Sequence, residues 1–270
     1  MNDIIQLNKK DHKTFNLERS FNFSFCKSNN LCPVTMAEIP HIIQQAPLVF
    51  EKNDLDIFGL FMLQSYTEQT NNFCDNKGKW LGSYIPAQYR QHPFYLANSK
   101  HGQEKILCFD QSSNLINEKA SKTSVPLFDD KGELTEHIEN VINFVKQIEQ
   151  NKKLTQKVLD AIEENSLFEK WNLKIKSEDN EMQVNGLWTI SRSKLANLSA
   201  KALSELNKIN ALELIYGHFF SLQKSQGIAN LKTSKNENGN KSLKERAIDR
   251  QKENAEKEVD SLVKNLLDGD

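Results

Sequence analysis

The chain has 270 residues, 38% apolar and 26% charged, with a formal net charge of −1. This length supports one large domain or two small ones around a substantial core. The near-neutral balance excludes a nucleic-acid binder that works by bulk positive charge, and the longest strongly apolar stretch, near residues 58–63, is far too short to span a bilayer.

The start, Met1 to Lys10, lacks the apolar run and small-residue cleavage site of a secretory signal. The expectation is a cytoplasmic protein without a membrane span. Its cysteines, Cys26, Cys32, Cys74 and Cys108, form no CxxC pair, so they read as reduced, partly buried thiols rather than a zinc site. A Cys26–Cys32 disulfide would require an oxidising compartment. Phe15, Leu17, Phe21, Phe23 and Phe25 alternate with polar neighbours, which predicts one half-buried strand. Such a stripe stacks bases in RNA-binding sheets. Only Arg19 and Lys27 are near it, so core packing is the reading kept.

A helix is predicted from Pro33-Val34-Thr35, with Thr35 as N-cap and Glu38 completing a capping box. Pro40 must then lie in its first turns, and Pro47 ends it. Leu48–Phe50 and Ile57–Leu63 read as strands. Asp75-Asn76-Lys77-Gly78 is a turn signal, and Pro86 and Pro93 predict extended chain with tight turns from Asn71 to Ala97. Lys105–Phe109 is the next strand, residues 111–124 a loop, and Asp129–Gly132 another turn.

The period then changes. Leu134, Ile138, Val141, Ile142, Val145 and Ile148, and again Leu154, Val158, Leu159 and Ile162, predict two helices or one broken near Asn151. Trp171–Lys176 alternates like a strand, with Met182–Ile190 as its partner. Ser193–Leu206 reads as a helix, and Asn210 as the cap of a last one carrying Leu214, Ile215, Phe219 and Leu222. The fold class is α+β: a mainly β N-terminal half with a short helix, a mainly helical C-terminal half, and an appended C-terminal helix. Residues 229–242 are polar linker by composition. In 243–270, Ala255, Val259, Leu262, Val263 and Leu266 make a narrow apolar stripe on a charged segment. A short tethered helix cannot bury such a stripe alone. It docks on its own domain, pairs with a second copy as a homo-oligomer, or enters a partner's groove.

Several motifs come in an order that resembles the SapC family. They are Phe58-Gly59-Leu60, Asn72-Phe73-Cys74-Asp75-Asn76-Lys77-Gly78-Lys79-Trp80, Tyr84-Ile85-Pro86-Ala87 and Arg90-Gln91-His92-Pro93-Phe94. Pro47–Phe50, Pro126–Gly132, Val184–Trp188 and Tyr216–Leu222 extend the likeness over residues 12–226. It places a SapC-like α+β domain at 1–228. The family commonly carries two basic residues before Pro-Phe, whereas only Arg90 is firmly cationic here, and the charged extension after Ala229 lies beyond the pattern. The resemblance implies a link to surface-layer formation or export, or an accessory role in peptide modification or uptake. A permease label that some members carry does not fit a chain without a span.

Within the central motif, Trp80, Tyr84, Tyr89 and Phe94 supply apolar surface to a segment without regular structure, which must be held by aromatic packing and side-chain hydrogen bonds. Arg90 can supply those bonds or grip an anion. His92 with Asp75 could belong to a two-His-one-carboxylate iron site, although no second His lies at short spacing. His218 reads as a satisfied, partly buried histidine. No nucleophile elbow, P-loop or dinucleotide fingerprint is present. The candidate ligand-binding residues are therefore Arg90, His92, Tyr84, Trp80 and Tyr89. No catalytic residue, metal or cofactor is expected. The leading reading is a non-catalytic accessory or adaptor that recognises a protein or peptide. The alternatives are a peptide- or amino-acid-modifying enzyme using iron or a small cofactor, and a structural component of a surface layer.

Overall fold

The computed structural model describes residues 3–99, 105–176, 181–184 and 186–228. In chain order these give β1 (Ile4–Gln6), α1 (Lys9–His12), β2 (Asn16–Glu18), β3 (Leu31–Pro33), α2 (Ile39–Ile42), β4 (Leu48–Lys52), β5 (Phe58–Leu63), α3 (Ala87–Arg90), β6 (Phe94–Asn98) and β7 (Lys105–Asp110). They continue with β8 (Ile116–Asn117), β9 (Ser124–Pro126), α4 (Glu136–Glu164), β10 (Phe168–Lys170), β11 (Leu173–Lys176), β12 (Glu181–Val184), β13 (Trp188–Ile190), α5 (Arg192–Ala196), α6 (Ala200–Lys208) and α7 (Ala211–Ser221). The class is α+β. A five-stranded antiparallel sheet of order β10-β13-β4-β5-β3 is accompanied by the small sheets β1-β7-β6, β8-β2-β9 and β11-β12.

Two apolar cores result. The larger one joins Leu48, Phe50, Leu60 and Met62 of the five-stranded sheet to Ile42, Leu159, Ile162, Leu214 and Ile215 of the helices. The smaller one packs Phe94 and Phe109 against Leu17, Leu127, Ile138 and Val145. Helix α4 serves both, the smaller core with Ile138 and Val145 and the larger with Val158, Leu159 and Ile162. That is why it runs unbroken through Asn151 for 29 residues. The Asn151 carbonyl stays in helical register and also accepts the Thr155 hydroxyl at 2.8 Å.

The capping box at Thr35 and Glu38 forms, but it opens a 3-10 turn, Met36–Glu38, and then the single-turn α2, which stops at Ile42 before Pro47. The strands predicted at 48–50, 57–63 and 105–109 are present, as are the turns at Asp75–Gly78 and Asp129–Gly132. Gly78 and Gly132 take φ of +83° and +76°, which glycine adopts at little cost.

Four expectations are corrected, the first being the break near Asn151, which the single helix α4 does not have. The phenylalanine run is not one strand: β2 ends at Glu18, Ser24–Cys26 is a 3-10 turn, and Phe21 is 85% exposed. Turn chemistry overrides the alternation, because the Ser20 hydroxyl accepts the Asn22 N–H and the Asn22 side chain accepts the Ser24 N–H. Residues 193–206 are two helices, since Ser199 caps α6 through its bond from Ala202 N. Asn210 is the N-cap of α7, as expected, with a φ of 60° and no side-chain bond. Met182–Ile190 is two strands, β12 on β11 and β13 between β10 and β4. The linker and C-terminal helix expected in 229–270 lie outside the described residues. No helix among the described residues is long and apolar enough to cross a membrane.

Candidate recognition groove

The central motif is built around one buried carboxylate. Glu38 is 4% exposed, and one of its oxygens accepts Thr35 N at 2.9 Å and Thr35 Oγ1 at 3.0 Å. The other accepts Ala87 N at 2.7 Å and the Tyr84 hydroxyl at 3.2 Å. The carboxylate that closes the capping box thus also anchors Tyr84–Ala87, remote in sequence. Four donors to its two oxygens offset the cost of burying it. Gln45 completes the frame. Its Nε2 donates to Tyr84 O at 2.9 Å and its Oε1 accepts Tyr84 N at 3.2 Å. Trp80 Nε1 donates to the same Tyr84 carbonyl at 2.9 Å. Side chains therefore satisfy the backbone of this irregular segment, as its sequence requires.

Trp80 is buried, stacked on Phe73 at 5.6 Å and met edge-on by Phe23 and Tyr89. Tyr84 is half-buried with its ring against His41 at 4.8 Å on one contact and the Arg90 guanidinium at 5.3 Å on another. Burial first, and then the Glu38 carboxylate, push the Tyr84 hydroxyl up to about 12, against the opposing pull of Arg90. Arg90 is exposed at the end of α3. Its Nε donates to Ile85 O at 3.0 Å and its Nη2 to the Tyr84 hydroxyl at 2.9 Å, while the planar group also lies over Phe144 at 5.0 Å. These two bonds use two of the five N–H donors that a guanidinium carries.

Trp80, Tyr84 and Arg90 line one open groove of about 430 Å³, together with Phe21, Phe23 and Lys79. Of the five residues expected to bind a ligand, these three are brought together. Tyr89 is not with them: it is 4% exposed, and its hydroxyl donates to Gln64 Oε1 at 2.7 Å in the core. His92 is also elsewhere, stacked on Phe25 at 4.0 Å. Burial lowers its pKa, and the carboxylate it feels is Asp110. Asp75 instead accepts Lys77 N and Lys79 N at 2.8 Å each and so holds its own turn. Among the described residues no three of His, Cys, Asp and Glu form a group able to hold a metal ion.

Sequence reading missed Phe21, Lys79, Gln45 and His41 at this site. Phe21 arrives because Phe23 N donates to Gly78 O at 2.7 Å, which lays the N-terminal arm along the Asp75–Gly78 turn. Periodicity carries no trace of that pairing. Glu38 carried a local signal, its capping box, but none for its second set of partners. A smaller cleft of about 230 Å³ lies behind Glu38 between β5 and α4, walled mainly by Val34, Leu60, Phe61, Ile148 and Leu159. Thr155 on its rim is already spent, accepting Met36 N at 3.0 Å and donating to Asn151 O.

The family model described as SapC matches residues 7–228. No curated protein and no solved structure matches the chain.

Proposed function

The chain belongs to the SapC family over residues 7–228, and from that membership and the groove at Arg90 we propose a non-catalytic accessory protein that recognises a protein or peptide segment. The pathway in view is surface-layer assembly, peptide modification or uptake. The observation that carries this reading is Phe21, 85% exposed at the edge of a groove that also holds Tyr84 and Arg90. An exposed aromatic beside a cation is the composition of a recognition hot spot, where a ring supplies apolar area and a guanidinium fixes an acidic group. An extended acidic-aromatic peptide suits such an open surface better than an enclosed small molecule does.

The test is binding of full-length protein to an array of paired acidic and charge-neutralised peptides. A subset of acidic peptides is expected to bind. Phe21→Ser and Arg90→Ala should each weaken that binding by about tenfold or more, with the fold checked by circular dichroism. Binding that survives both substitutions, or no discrimination between the paired peptides, overturns the assignment.

A further inference from the structure

A second surface lies away from this groove. Helix α7 buries Leu214, Ile215, His218 and Phe219, yet turns Glu213, Tyr216 and Phe220 outward. Their spacing puts them on one helical face. Tyr216 and Phe220 are 49% and 60% exposed. Glu213 also borders a groove of about 430 Å³ between α4 and the α6–α7 junction, with Leu154 and Ile209 in its walls. Those two are 58% and 41% exposed. Four large apolar side chains exposed on α7 and around this groove exceed the scattered exposure normal on a surface and mark a place of contact.

We propose that this face is covered by the chain's own residues 243–267, docked as an amphipathic helix. Two observations name this occupant. The first is reach. Ile228 is buried, with its carbonyl held by Asn72 Nδ2 at 3.1 Å, so the chain leaves the domain from a fixed point shortly after α7. Residues 229–242 span up to ~50 Å when extended, more than the ~16 Å length of α7.

The second is shape. Ala255, Val259, Leu262, Val263 and Leu266 form one apolar stripe, ~16 Å long as a helix, which matches α7 and suits a groove bounded by two helices.

Hydrogen–deuterium exchange on the full-length protein, referenced to a synthetic 243–270 peptide, tests this. The backbone of 255–267 should exchange at least about tenfold more slowly in the protein than in the peptide. The protection should not change with protein concentration. Both Phe220→Asp and Leu262→Asp should abolish it. Leu262 lies beyond the family match at residues 7–228, so the result for Leu262→Asp does not depend on whether Phe220→Asp folds. Exchange at the peptide's rate overturns the proposal. So does protection that rises with concentration alongside a dimer mass, which would assign the face to a second copy. Protection that persists in both variants would place the segment elsewhere and overturns it too.

Discussion

Glu38 and His218 are both buried polar side chains, and each ties together segments far apart in sequence, but they do so by opposite chemistry. Glu38 is a pure acceptor and gathers donors: Thr35 twice, Ala87 N and the Tyr84 hydroxyl. His218 is neutral and bridges. Its Nε2 accepts Ile190 N at 3.3 Å and pairs with the Thr189 hydroxyl at 2.8 Å, which leaves Nδ1–H to donate to Leu48 O at 2.8 Å. The carboxylate organises an irregular loop next to the groove. The imidazole fastens α7 to the joint between β4 and β13, inside the larger core. Gly217 beside it lets α7 approach α2, since a Cβ there would sit 2.7 Å from Ile39 Cγ2. The contrast teaches that the same device, a satisfied buried polar group, builds a site in one place and only architecture in the other.

Removing each hub separates the two roles. Glu38→Ala leaves Ala87 N and Thr35 N without their acceptor, and it should cost about 4 kcal/mol in denaturant unfolding. Glu38→Gln should recover little, because either carboxamide orientation turns an NH2 toward groups that are themselves donors. Loss of the groove should accompany loss of stability, seen as peptide binding that fails even under conditions where the variant stays folded. A change under about 1 kcal/mol would show that the loop is held by its aromatic packing alone.

The imidazole predicts a pH signature. Burial lowers the His218 pKa from 6.5 to about 4. Between those values the unfolded chain binds a proton that the folded chain refuses, so stability should be full above pH 6.5 and fall as pH drops toward 4. The loss over that window amounts to about 3 kcal/mol. His218→Asn should flatten this part of the profile while lowering stability at neutral pH. A wild-type profile already flat between pH 4 and 6.5 would mean that His218 is charged in the fold.

These hubs also show how far the sequence could be read. Thr35 and Glu38 announced a capping box because that bond is local, spanning three residues. The second face of Glu38 closes contacts 46 and 49 residues away, and nothing in periodicity or spacing encodes those. His218 was legible as a satisfied histidine, but its partners lie 28 to 170 residues away. The groove divides in the same manner. Trp80, Tyr84 and Arg90 fall together because they are neighbours in one motif, and Tyr89 and His92 of that motif turn the other way. Phe21 was placed in a strand because alternation suggested one, whereas Ser20, Asn22 and Ser24 build turns that free its ring.

Tyr84 connects the two regimes and gives the smallest but most discriminating test. Its hydroxyl donates to Glu38 and accepts from Arg90, so it transmits the position of the buried carboxylate to the exposed guanidinium. Tyr84→Phe removes that link and keeps the ring on which His41 and Arg90 lie. Stability should fall by about 1 kcal/mol, the worth of a partly exposed hydrogen bond. A double-mutant cycle with Arg90→Ala should return a coupling energy of similar size. Acidic-peptide affinity should drop severalfold, because the guanidinium loses one of its two fixed contacts and must be ordered by the ligand instead. Stability lost without any loss of affinity would mean that Arg90 is held well enough by Ile85 and the two rings. The hub would then build the loop without setting the geometry of the groove.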